Sequence, residues 1–129
     1  MAKERRKEDR DIDFYNTCEE VRKQFNGYVS IEDLTKIAVY KEAKEFYLSE
    51  EECAIALEQI KNNKIRCKHK VKSAMYYDIR KLYIKLLKET PDITNTEASR
   101  IIVKSKAPRF YINEDSAKKL YYKIINEYL

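Results

Sequence analysis

Lys106-Ala107-Pro108-Arg109-Phe110-Tyr111-Ile112-Asn113-Glu114-Asp115 reads as a short non-helical crossing that runs into the capped start of a helix. Asn113 is a favoured helix N-cap, and Glu114 and Asp115 suit the positive end of the helix dipole that follows. Sixty-four residues earlier the chain reads Glu42-Ala43-Lys44-Glu45-Phe46-Tyr47-Leu48-Ser49-Glu50-Glu51, with the same Ala, Phe-Tyr, cap and acidic first turn.

Extending this offset without gaps aligns residues 27–63 with 91–127. Ile37/Ile101, Val39/Val103, Ala43/Ala107, Phe46/Phe110, Tyr47/Tyr111, Glu50/Glu114, Ile60/Ile124 and Asn62/Asn126 are identical. Val29/Ile93, Ser30/Thr94, Asp33/Glu97, Thr35/Ser99, Lys36/Arg100, Leu48/Ile112, Ser49/Asn113 and Glu51/Asp115 are conservative. These fall at helix starts and apolar positions, as expected of a tandem duplication.

Each unit parses into three helices. In the second, a helix from about Ser73 places Met75, Ile79, Leu82 and Leu86 on one face and stops before Pro91. A second helix starts at Thr94, with Glu97 spaced for a capping box, and turns Ala98, Ile101 and Ile102 inward. The third, capped by Asn113, buries Ala117, Leu120, Tyr121 and Ile124. The first unit repeats the plan with Gly27 in place of Pro91. Its first helix, roughly 11–25, carries the stripe Ile12, Tyr15, Cys18, Val21 and Phe25. Ser30 with Asp33 and Ser49 with Glu52 mark the next two helix starts, and Cys53, Ala56, Leu57 and Ile60 face inward. The expected fold is all-α: two tandem three-helix units, 11–63 and 73–129, packed on a shared core, with a basic arm at 1–10 and a linker or extended segment at 64–72. Phe46 and Phe110 read as plugs between the second and third helices of their units.

Composition narrows the function. One Gly and two Pro in 129 residues are too few for the turns of a β-sandwich or barrel, and Gly27 alone excludes glycine-rich phosphate loops. No apolar run approaches the ~20 residues of a membrane span, and no signal-peptide pattern follows Met1. Cys18, Cys53 and Cys67 form no CxxC, and His69 is the single histidine, so no metal site is expected. Unpaired thiols suit a reducing, intracellular setting. His69 has no nucleophile or metal partner near it in sequence, and the runs Glu50-Glu51-Glu52 and Glu114-Asp115 are explained as first-turn carboxylates. No catalytic group and no cofactor are expected.

Charge is divided along the chain. Residues 11–60 carry net −7, whereas 61–72 carry +6 and 73–129 carry +4. In Lys64-Ile65-Arg66-Cys67-Lys68-His69-Lys70-Val71-Lys72 five cations alternate with other residues, the period of an extended comb or of a solvated linker. Arg109 stands opposite Glu45 in the repeat, so the fold does not require a cation there and an anionic group on a partner is the natural counterpart.

The segment Ala107-Pro108-Arg109-Phe110-Tyr111-Ile112, between a helix and a capped helix, resembles one in small helical proteins of gut Bacteroidetes, their phages and mobile elements. The resemblance spans roughly 94–124. It implies a place in a bacterium or, for a phage protein, a virion, and it carries no activity with it.

Two functions fit. The first is nucleic-acid binding, DNA or RNA, by the basic second half, which also holds seven tyrosines from Tyr76 onward. Lys64, Arg66, Lys68, Lys70, Lys72, Arg100, Lys104, Lys106 and Arg109 are its candidate contacts. The second and third helices of each unit approximate a helix-turn-helix, although 106–112 is longer than the usual turn and the third helix opens with acids. The alternative is a structural or adaptor protein of a phage particle or other assembly, docking a protein partner or associating head-to-tail through its acidic and basic halves.

Overall fold

The computed structural model describes residues 2–62 and 70–128, and among them the protein is all-α, with six helices and no strand. The helices are α1 (Ala2–Gln24), α2 (Ile31–Val39), α3 (Glu50–Lys61), α4 (Lys70–Glu89), α5 (Asn95–Val103) and α6 (Glu114–Tyr128). None is long and apolar enough to cross a membrane.

The starts of four helices lie where the cap chemistry puts them. Ser30 Oγ accepts from Asp33 N–H at 3.1 Å, and Thr94 Oγ1 accepts from Glu97 N–H at 3.1 Å. Ser49 and Glu52 form a complete capping box, and Asn113 Oδ1 accepts from Ser116 N–H at 2.7 Å. The end of α1 turns through Asn26 (φ 52°) and Gly27 (φ 83°), with Gly27 N–H donating to Arg22 C=O at 3.0 Å. This left-handed stop suits glycine, whereas α4 is ended by the approach of Pro91.

Two helices are longer than the sequence pattern suggests. Residues 2–10 of the segment expected as an arm at 1–10 belong to α1, because they are mostly Ala, Lys, Glu and Arg and include no Gly or Pro. Helix α4 begins at Lys70, inside the expected extended segment. Val71 falls four residues before Met75 and eight before Ile79, so helical geometry gathers it onto the apolar stripe. The rest of the comb, Lys64, Arg66, Lys68 and His69, lies outside the described residues, as does Cys67.

Helix packing crosses the midpoint of the chain. α1 packs on α2, and α4 on α5, but α3 lies on α4 and α5 while α6 lies on α1 and α2. Among the described residues α5 and α6 do not pack on each other, because residues 104–113 carry the chain across to α2. The two crossings meet in one antiparallel bridge. Ala43 N–H donates to Ala107 C=O at 2.9 Å, and Ala107 N–H returns to Ala43 C=O at 3.0 Å.

One buried cluster draws on all six helices and both crossings. Phe110 meets Phe14 of α1 edge-on at 5.5 Å, and Phe46 stacks on Tyr111 at 5.7 Å. Each crossing is also tied to a long helix by a tyrosine. Tyr47 Oη donates to Asp13 of α1 and Tyr111 Oη to Asp78 of α4, both at 2.6 Å. Asp13 is buried and also accepts from Lys44 N–H at 2.9 Å. Tyr47 holds φ 59°, an uncommon conformation for a bulky side chain, within this clamp. At the middle of α6, Tyr121 accepts from Arg22, donates to Glu19 at 3.4 Å and stacks on Tyr15.

Candidate functional site

The two crossings form the floor of a groove of about 690 Å³. Residues 43 and 45–48 contribute one side of the floor and 109–113 the other. The walls come from the start of α1 (Lys7, Arg10), the start of α4 (Val71, Lys72, Met75), one face of α6 (Ser116, Lys119, Leu120, Lys123) and Glu52 of α3. Helical spacing explains the groupings. Residues 116, 119, 120 and 123 are three or four apart and share one face, as do 7 and 10.

Charge in this groove is one-sided. Lys7, Arg10, Lys72, Arg109, Lys119 and Lys123 line it, against Glu45 and Glu52. Arg10 is held by Asp11 at 3.0 Å. Among the described residues, Lys7, Lys72, Lys119 and Lys123 are exposed and lie in no ion pair with a carboxylate. Like charges drawn from three helices into one concavity raise its potential and favour an anionic ligand.

Arg109 is the most organised of these cations. Its guanidinium lies 4.7 Å from the Tyr40 ring centroid and 5.8 Å from that of Tyr111, and Nε donates to Phe110 C=O at 3.1 Å. Tyr40 is itself steadied by its hydroxyl, which donates to Glu114 at 3.3 Å. A guanidinium held near two rings and by the Phe110 carbonyl has already lost much of its rotamer freedom, so less is lost when it meets an oxyanion. The floor tyrosines are committed elsewhere. Burial, reinforced by the hydrogen bond to Asp13, pushes the Tyr47 phenol above its ordinary range, and burial with Asp78 does the same for Tyr111. Both are neutral donors at physiological pH.

Of the residues singled out by sequence, Lys72 and Arg109 line the groove. Lys72 extends over the Tyr76 ring at 5.7 Å, and Lys70 is exposed at the first position of α4. Three others point elsewhere. Arg100 pairs with Glu50 at 3.7 Å, Lys106 pairs with Glu42 at 3.5 Å, and Lys104 is exposed at the end of α5. Lys64, Arg66 and Lys68 fall outside the described residues. Lys7, Arg10, Lys119 and Lys123 are the groove cations that sequence reasoning missed. A signal for two of them was present: Lys119 and Lys123 follow Ser116 at helical spacing in the helix that Arg109 precedes.

Cys18 and Cys53 are fully buried, and burial pushes the Cys18 thiol up to about 12 and raises that of Cys53. Among the described residues no group of His, Cys, Asp and Glu is arranged to hold a metal ion. No family model matches the chain, and no curated protein or solved structure matches it.

Proposed function

We propose that this protein binds nucleic acid through the basic groove, without catalysing a reaction on it. The observation that carries this reading is the convergence of six cations from α1, α4, α6 and the second crossing on one concavity that holds two carboxylates. Phosphates along a nucleic-acid backbone are the common biological ligand with matching charge, repeat and reach.

The same proposal includes a tandem origin for the scaffold: two three-helix units that exchange their third helices around a pseudo-two-fold axis between Ala43 and Ala107. Three observations support it. The helix pairs α1–α2, α2–α6 and α1–α6 mirror α4–α5, α5–α3 and α4–α3. The bridge joins two alanines that the 64-residue offset makes equivalent. The tyrosines Tyr47 and Tyr111, equivalent under that offset, each reach an aspartate on the preceding long helix. On this reading the groove sits on the axis, and Lys7 and Lys72 enter it as counterparts.

Complementary halves also suggest head-to-tail association, the reading of an assembly or adaptor protein. Glu50–Arg100 and Glu42–Lys106 instead join the acidic and basic halves within one chain. Intramolecular pairing of these charges favours the binding reading.

The test is anisotropy of a labelled mixed-sequence oligonucleotide over a salt series, with Lys7, Lys72, Lys119 and Lys123 changed together to Gln. The parent is expected to bind with an affinity that falls steeply with salt. The variant is expected to bind more weakly at low salt and with a shallower slope, by about 0.7–0.9 for each phosphate that is no longer neutralised. Equal binding and equal slope in the two proteins would remove the groove from the function.

A further inference from the structure

We infer that the groove takes a single strand of nucleic acid and excludes a duplex; this rests on the nucleic-acid reading above. The argument begins with shape. Proteins read duplex DNA by projecting a helix or ribbon into a groove about 12 Å wide, so their contacting cations stand on convex ridges. Here the cations line a concavity of about 690 Å³, within the ~300–1,000 Å³ of ligand-binding clefts. A flexible phosphodiester chain can bend into such a space. A stiff double helix meets only its rim.

The chemistry of the floor agrees. Sequence-tolerant single-strand sites combine a cationic track with aromatic surfaces. Tyr47 lies half-buried in the floor with its hydroxyl held by Asp13, so its ring is fixed in place, while the Tyr111 ring is taken up by Phe46 and Arg109. The Arg109 guanidinium lies 4.7 Å from the ring centroid of Tyr40, which is itself exposed. Arg109 therefore stands where a phosphate entering the groove meets a pre-set fork, with Lys119 and Lys123 following along α6. The first crossing carries Glu45 and the α3 wall Glu52, so the strand is expected to lie along the α6 side and not symmetrically across the axis.

The molecule also has the surface a duplex would choose. The outer face of α4 is convex and presents Arg80, Lys81, Lys85 and Lys88, all exposed. This gives the experiment an internal control. A labelled 12-nucleotide single strand, as DNA and as RNA, and a 20-base-pair duplex are titrated with the full chain at 50 and 200 mM salt. Two variants accompany it: K7Q/K72Q/K119Q/K123Q in the groove and R80Q/K81Q/K85Q/K88Q on the ridge. All eight lysine and arginine side chains are exposed, and circular dichroism checks that each variant folds.

The expected result is single-strand binding at least tenfold tighter than duplex binding, lost by tenfold or more in the groove variant and retained in the ridge variant. Duplex bound as tightly as single strand, with both lost in the groove variant, would overturn the single-strand inference and leave the groove as the nucleic-acid site. Binding of either ligand that is lost only in the ridge variant would overturn both readings. Absence of binding to all three probes at 50 mM salt would do the same.

Discussion

Removing the hydroxyl of Tyr47 or of Tyr111 tests whether the two crossings are held as the structure describes. Each phenol donates to a carboxylate at 2.6 Å, but the two carboxylates differ in surroundings. Asp13 is 6% exposed, whereas Asp78 is only partly buried. A hydrogen bond to a charged group is worth about 1.5–3 kcal/mol, and its loss is felt most where water cannot replace the donor. Tyr47→Phe is therefore expected to cost about 2 kcal/mol, since Asp13 keeps the Lys44 N–H but loses its second donor. Tyr111→Phe is expected to cost about 1 kcal/mol, because water can reach Asp78. With a urea slope of about 2 kcal/mol/M, these become midpoint shifts of about 1 M and 0.5 M at unchanged slope. A double-mutant cycle with Asp13→Asn should return a coupling of about 1–2 kcal/mol for the Tyr47 pair. Equal shifts for the two Phe variants, or a coupling near zero, would refute the ranking by burial.

Three further outcomes follow from the same structure. Gly27→Ala is expected to lower stability by about 1 kcal/mol in urea denaturation; a Cβ at this position meets no atom within 4 Å, so the whole effect comes from φ 83°. Ser49→Ala removes the hydroxyl half of a complete capping box and should cost about 1 kcal/mol by the same assay, with loss of helical signal confined to a small fraction. Thermal stability should fall as pH rises above about 10, because Tyr47, Tyr111 and Tyr121 have folded-state values raised, chiefly by burial, above the unfolded value near 10. The sign is that of a group protonated more readily in the folded state: its contribution is complete below 10 and is lost as the phenols ionise, so melting curves at pH 8 and pH 11 should differ downward.

Much of this fold was legible because local rules and tertiary packing agree. Ser30, Ser49, Thr94 and Asn113 each stand at the start of a helix, and Pro91 and Gly27 follow the ends of the long ones. Cap chemistry acts over three residues, and nothing distant competes with it. The inward positions Cys53, Ala56, Leu57, Ala117 and Tyr121 are buried as their periodicity requires, whereas Ile12, Phe25 and Ile101, which the same periodicity turned inward, are exposed. What periodicity leaves open is the partner of each stripe. An apolar face on α3 is satisfied equally by α1 and α2 or by α4 and α5, and the structure takes the second choice. The Asp13–Tyr47 and Asp78–Tyr111 clamps were invisible for a related reason. The aspartates stand 65 residues apart and the tyrosines 64, so an ungapped comparison slides past the match.

The crossing of the helices also decides where charge collects. Read along the chain, the protein has an acidic front and a basic back, and a linear reading places the binding surface on 61–129. In three dimensions α6 lies on α1 and α2, so Lys119 and Lys123 from the basic half come to share a groove with Lys7 and Arg10 from the first helix. The same crossing sets Arg100 against Glu50 and Lys106 against Glu42, turning cations that looked available into partners of the acidic half. Exposed pairs of this kind contribute at most about 1 kcal/mol each, so their effect on stability is small. On the nucleic-acid reading they set these two cations beside carboxylates and apart from the groove, which stands as a separate basic concavity. Neutralising Arg100 and Lys106 to Gln should therefore leave nucleic-acid binding and its salt slope nearly unchanged, where the four groove lysines change both. If Arg100 and Lys106 mattered as much as Lys119 and Lys123, net charge rather than the architecture of the groove would govern binding.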